Sequence, residues 1–273
     1  PRSFFARRAT PAPSPRSSSL IKYSFYKNVA FAAMLFLFQF CNGYSGQALL
    51  DGVTSAFYNA FFTALPAGMF AGLDRPVRRL STLEAHPAAY NARPALTAAS
   101  FWRTSIGTGA AHGAVAFAVP YAGIRVRGRR PSHDDVWSLG KTMFIAIIGV
   151  VSAEIGLCAR YWTLPFTLVL FGSYFATWPW LALLPLLYRA AGKWDIAQAG
   201  VGANLLASPL FWAELALVYA ITIGTRLAEH GGCWLLRPRD DMVLAEMEEV
   251  EEREAKAAAA RGGDGAPGGD RRA

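Results

Sequence analysis

LIKYSFYKNVAFAAMLFLFQFCNGYSGQALLDGVTSAFYNAFFTALPAGMFAG, residues 20–72, is the stretch whose reading decides the fold. Two apolar runs of about twenty residues flank a short polar link. Wound as α-helices, runs of that length match the ~30 Å hydrocarbon core of a bilayer. The stretch therefore reads as a membrane hairpin with helices at 20–42 and 53–72, the first stopped by Asn42-Gly43. Lys27 and Asn28 interrupt the first run, and Asn59 and Pro66 the second. Charged and amide side chains are costly in hydrocarbon, which makes them functional candidates. Pro66 removes one backbone bond and predicts a kink.

The rest of the chain repeats the pattern. Of its 273 residues 53% are hydrophobic and 17% charged, with mean hydropathy +0.24; an average soluble domain carries ~25% charged residues. Further apolar helices are expected at 100–124, 137–157, 162–187 and 205–227. The expected fold is all-α, a polytopic bundle of six transmembrane helices spanning 20–228. Ser105, Gly109 and Gly113 recur every four residues, a small-residue stripe that lets another helix approach closely. Pro165, Pro179 and Pro185 make the fifth helix irregular, helical as far as Trp178. Residues 1–19 form a Pro/Ser/Arg-rich lead. It has the acid-free composition of transit peptides, but reads better as a poorly ordered cytosolic approach to the first helix. Residues 229–273 read as a cytosolic tail, a charged helix followed by a segment of disordered composition. Six helices put both termini on one side. The basic lead and 73–99 loop, set against a 43–52 link without Lys or Arg, place that side in the cytosol. The basic segment RVRGRR, 125–130, then falls outside, against the same rule, and the first helices are given the greater weight.

The net charge of +8 gathers near helix ends, at Arg75, Arg78, Arg79, Arg125, Arg127, Arg129 and Arg130. Such clusters suit anionic lipid headgroups, and no nucleic-acid module accompanies them. Cys41, Cys158 and Cys233 are too scattered for a disulfide framework or a zinc site and read as small apolar residues. Glu154, Glu214 and His112 read as satisfied bundle contacts without metal-ligand spacing. Lys27 lies about two turns into its helix, ~10 Å, so it either snorkels to the interface or places a charge inside the membrane. Asn28 and Asn59 act either as interhelical glue or as part of a polar path. Asn42 and Ser45 either meet an incoming headgroup or form a helix C-cap and glycine turn.

YSFYKN (23–28), NGYSGQ (42–47) and YNAFFTALP (58–66) together resemble one family. They stand in the order and at the spacing of the fifth and sixth membrane helices of the type IV P-type ATPases, the phospholipid flippases, with Tyr44 where that family has Phe. Weaker likenesses follow at HPAAY (86–90), Phe101-Trp102, Trp162-Thr163, FGSYFATW (171–178), SPLFW (208–212) and RPRDDMVLAEME (237–248). The six helices thus correspond to the family's fifth to tenth. The resemblance implies the C-terminal transmembrane part of an ATP-driven flippase that moves phospholipid from the exoplasmic to the cytosolic leaflet. It places Lys27, Asn28 and Asn59 on the lipid path, with Lys27 coupling headgroup loading to dephosphorylation. It places Asn42 and Ser45 against headgroups at the exoplasmic end.

The family's Asp-Lys-Thr-Gly and Gly-Asp-Gly-x-Asn-Asp motifs are absent from this sequence, as are its actuator loop and first four membrane helices. No catalytic residue, cofactor or metal site is therefore expected here; ATP and Mg2+ are implied for the full-length parent, of which this chain, beginning at Pro1, reads as a fragment. The implied partners are phospholipid, membrane lipids and a two-helix glycosylated accessory subunit meeting 125–136 and 188–204. The implied location is the plasma membrane, Golgi or endosomal membrane. The alternative is a non-catalytic membrane module, or a truncated gene product with an assembly or regulatory role.

Overall fold

The computed structural model describes residues 15–74, 96–127, 136–192 and 200–236, with isolated helical positions between 243 and 257. The first fourteen residues, the HPAAY segment, most of the basic loop after residue 127, residues 193–199 and most of the tail lie outside them. Eight helices are described before residue 237: α1 (Pro15–Cys41), α2 (Gly52–Leu73), α3 (three continuous windings, Ala98–Phe101, Trp102–Thr108 and Gly109–Arg127), α4 (Val136–Cys158), α5 (Leu164–Phe175), α6 (Thr177–Ala190), α7 (Val201–Ala207) and α8 (Pro209–Leu236). No strand occurs among the described residues. α1, α2, α4 and α8 are long and apolar enough to cross a membrane, and α5 and α6, bent by 49° at their junction, reach that length and apolarity only when taken together. The remaining expected span, 100–124, falls on α3, whose apolar character is diluted by Arg103, His112 and six glycines or serines.

Local chemistry sets the helix ends. α1 stops in a left-handed turn: Gly43 has φ +65°, and the Tyr44 N–H reaches back to the Gln39 carbonyl at 3.0 Å, the six-to-one bond of a Schellman ending. The Asp51, Thr97 and Thr163 side chains cap α2, α3 and α5 by accepting the N–H of Thr54, Ser100 and Phe166. The break between α5 and α6 lies at Ala176, two residues before the expected limit. Pro179 sits in the first turn of α6, where its missing N–H has no intrahelical partner to lose. Two expected boundaries differ more. Residues 15–19 already belong to α1, and the last expected helix, 205–227, is split at Ser208, with α8 continuing to Leu236.

The bundle is built around α4, which is buried almost continuously from Ser138 to Gly156. α1, α2, α3, α5, α7 and α8 all pack on it, which explains why its sequence is apolar on every face. The most extensive helix pair is α1 with α3. The stripe of Ser105, Gly109 and Gly113 lies on Lys22, Tyr26 and Ala30 of α1, two rows with the same four-residue period. The Ser105 hydroxyl donates to the Lys22 carbonyl at 3.0 Å. A Cβ at Gly109 would stand 3.0 Å from the Tyr26 carbonyl oxygen, and one at Gly113 would overlap the Ala30 carbonyl. Gly113→Leu is therefore expected to push the two helices apart, at a cost above the ~1–3 kcal/mol usual for overpacking. Loss of the monodisperse peak in size-exclusion chromatography checks this, with Gly172→Leu, at an exposed position where an added Cβ has nothing within 4 Å, as a tolerated control.

Candidate functional site

Lys27 turns into the bundle. It is buried on α1 and faces α2, where its ammonium donates to the Asn59 side-chain oxygen at 3.0 Å and to the Thr63 hydroxyl at 2.8 Å. The Lys27 backbone carbonyl accepts the Tyr58 hydroxyl at 2.8 Å, and the ammonium lies 5.9 Å from the Tyr58 ring centroid. Phe31, one turn along α1, stacks on that ring at 4.1 Å. One lysine is thus held from three positions of the opposite helix.

The backbone of α2 makes this convergence. Residues Tyr58–Phe62 are wound as a π-helix, closed by the Thr63 N–H to the Tyr58 carbonyl at 3.2 Å. The Thr63 hydroxyl also donates to that carbonyl, at 2.8 Å, so its remaining lone pairs are turned to the Lys27 ammonium. A π turn holds one more residue than an α turn and is frequent at functional sites; Trp102–Thr108 of α3 is wound the same way. Pro66 follows it, where the ring and the missing N–H already prevent a regular ladder back to Phe62.

The other expected site residues are dispersed. Asn28 is exposed on α1, on the face that also shows Phe25, Phe36 and Phe40, and it joins neither Lys27 nor Asn59. Asn59 is exposed apart from its contact with Lys27. Asn42 sits at the end of α1, its amide donating to the Gln47 carbonyl at 3.1 Å and to the Gln39 side chain at 3.3 Å; its own buried side-chain oxygen has no partner. Ser45 accepts the Gln47 N–H at 3.4 Å. Asn42 and Ser45 therefore close the turn at one end of the hairpin.

Three buried groups around the site were not among the sequence candidates in these roles. Thr63 stands inside the quoted YNAFFTALP run, but a helical threonine ordinarily bonds its own backbone. Tyr26, next to Lys27, shares a 2.6 Å hydrogen bond with His112 Nδ1 on α3. Beyond His112, Glu154 on α4 is gripped by one edge of the Arg226 guanidinium on α8, whose Nε and Nη2 donate to its two oxygens at 2.8 and 2.5 Å, while Arg226 Nη1 pairs with Glu229. His112, Glu154, Thr222 and Arg226 line one small cleft. Among the described residues, no group of three His, Cys, Asp or Glu side chains is placed to hold a metal ion.

Comparison with known proteins puts this hairpin in context. The family model described as "Phospholipid-translocating P-type ATPase C-terminal" matches residues 14–234. Phospholipid-transporting ATPase C887.12 of Schizosaccharomyces pombe is 28% identical over 217 residues, 76% of this chain and 17% of that protein. Phospholipid-transporting ATPase DRS2 of Saccharomyces cerevisiae is 29% identical over 212 residues, 74% of this chain and 15% of that protein. Phospholipid-transporting ATPase IG of Homo sapiens is 30% identical over 168 residues, 58% of this chain and 14% of that protein. The chain spans less than a fifth of the length of these curated relatives.

Proposed function

The chain belongs to the phospholipid-translocating P-type ATPases, as their C-terminal membrane region, and from that premise we propose that it forms part of the path by which an ATP-driven flippase moves phospholipid from the exoplasmic to the cytosolic leaflet. The observation that supports this most is the buried ammonium of Lys27, held by Asn59 and Thr63 across the hairpin. An ammonium has three N–H donors. Two are given to α2, and the third is available to a phosphate or carboxylate of a lipid headgroup. A headgroup that draws Lys27 toward itself weakens its bonds to Asn59 and Thr63. The occupancy of the path is thereby written into the packing of α1 on α2. Asn28, on the exposed face of α1, and Asn42 and Ser45, at the end of the hairpin, extend the polar track on this reading.

ATP and Mg2+ enter through the parent protein. When bound there they supply the phosphoryl transfer that drives the cycle. The same reading assigns a multi-pass protein to the plasma, Golgi or endosomal membrane, with a two-helix glycosylated accessory subunit against 125–136 and 188–204, of which 128–135 and 193–199 lie outside the described residues.

The test uses the complete protein, purified and reconstituted in vesicles with fluorescent phosphatidylserine, phosphatidylethanolamine or phosphatidylcholine. ATP-dependent loss of label from the leaflet opposite the ATP-binding side is expected for at least one headgroup. Label that equilibrates equally well without ATP would overturn the proposal in favour of passive scrambling, and label that never crosses would overturn both.

A further inference from the structure

We infer that Asp51 and Asp74, at the two ends of α2, are positioning residues that fix the register of that helix and so hold Asn59 and Thr63 against Lys27. The inference rests on the functional reading above and extends it to residues outside the membrane path. At the first end the Asp51 carboxylate caps its own helix through the Thr54 N–H at 2.9 Å and also accepts the Tyr188 hydroxyl of α6 at 3.1 Å. At the second end Asp74 is buried. One of its oxygens accepts two consecutive backbone amides, Arg160 at 2.9 Å and Tyr161 at 3.1 Å, in the turn that leads into α5. Between the two ends the Trp180 indole N–H donates to the Thr54 hydroxyl at 3.3 Å, and Phe57 stacks on the Trp180 ring at 4.5 Å. The bent α5–α6 pair is thus a splint laid along α2 and tied to it at both ends.

The splint has a purpose because α2 contains a winding that would otherwise relax. In an α-helix each residue advances 1.5 Å and turns about 100°. Were the π turn at Tyr58–Phe62 to revert to α, everything on one side of it would rotate by about one residue's turn. Asn59 and Thr63 would no longer face Lys27 together. With both ends fixed, the number of residues that must fit between Asp51 and Asp74 is set, and the extra residue stays where it is. The two carboxylates therefore act on the site through backbone geometry rather than through contact with lipid.

The experiment compares the complete protein with its Asp74→Ala, Asp74→Asn and Asp74→Glu variants in detergent micelles. Hydrogen exchange of the peptide covering 159–163 reads the latch directly and needs no activity. ATPase activity titrated with phosphatidylserine, phosphatidylethanolamine and phosphatidylcholine reads its effect. Asp74→Ala is expected to speed exchange of the Arg160 and Tyr161 amides at least about tenfold. It should raise the half-saturating lipid concentration about tenfold while the maximal rate changes by less than about twofold. Asp74→Asn, which keeps an acceptor oxygen, should lie between Ala and wild type. Faster exchange with an unchanged half-saturating concentration would overturn the positioning role, as would a fall in maximal rate alone. Unchanged exchange would overturn the latch itself. Should Asp74→Ala fail to fold, Asp51→Ala, which removes the acceptor of both the Thr54 N–H and the Tyr188 hydroxyl, poses the same question at the other end and must shift the half-saturating concentration in the same direction. A wild-type protein that no phospholipid stimulates overturns the functional reading, and the positioning role with it, while the exchange arm still reports on the latch.

Discussion

Lys27→Ala in the complete protein is expected to raise the phospholipid concentration that half-saturates ATPase activity by about 10- to 100-fold. Each hydrogen bond to a charged group contributes about 1.5–3 kcal/mol, and this ammonium makes two within α2 with a third donor for the headgroup. Alanine removes all of them. It also strands the Asn59 oxygen, and leaves the Thr63 hydroxyl with only its bond to the Tyr58 carbonyl. Lys27→Arg keeps the charge, but its planar fork cannot reproduce the two-acceptor geometry of an ammonium, so a partial shift is expected. A titration in which Lys27→Ala and wild type coincide would sink the proposed role of this residue in sensing lipid. If both Asn59→Ala and Thr63→Val leave the titration unchanged while Lys27→Ala shifts it, the lysine acts alone.

The second large effect concerns stability. Arg226→Met is expected to destabilise the bundle by about 3–5 kcal/mol, because it leaves the buried Glu154 carboxylate without its counter-charge. Both partners are almost wholly inside the protein, with 3% of the Glu154 side chain and 9% of that of Arg226 exposed. They come from helices 72 residues apart in sequence. The double variant Glu154→Met/Arg226→Met removes both charges and their desolvation together, and is expected to recover most of the loss, since apolar replacements of a buried pair are often neutral or better. Unfolding in detergent, followed by the accessibility of the partly buried Cys158 near Glu154, measures both. A double variant as unstable as the single would show that Arg226 matters through something other than Glu154. Glu229, which also pairs with Arg226 but is 59% exposed, is expected to contribute less than about 1 kcal/mol.

These two sites differ in how far the sequence revealed them. Lys27 and Asn59 stand out in a sequence because polar groups inside apolar runs are conspicuous. Their facing one another was not legible, since it depends on the π winding of Tyr58–Phe62, which is a property of how α2 is held and not of its composition. Thr63 was hidden by its ordinary chemistry, and Asp51 and Asp74 by standing outside the apolar runs where loops are expected. Glu154 was visible, but only the fold says that Arg226 answers it. The apolar runs did predict the helices well where a helix is straight. They failed at Ser208, where a single expected span is broken into two pieces, whereas the break at Ala176 was signalled by the prolines and not by the apolar run. Which way Asn28 faces was not legible either: its neighbour in sequence, Lys27, is buried, but one residue along a helix is about 100° away, and Asn28 is exposed.

The π turn of α2 has a consequence at the level of the gene. Tyr58–Phe62 carries one residue more than an α-helix would need, so an in-frame loss of a single codon there leaves a chain that can still wind into an unbroken helix. Such a deletion would insert no proline or charge, and losing Ala60 or Phe61 would take one apolar residue from a span of 22. It would nonetheless turn Asn59 and Thr63 away from each other's common partner. A one-codon deletion in this segment should therefore yield a protein that is made, inserted and stable yet silent, a lesion easily mistaken for a harmless length variant.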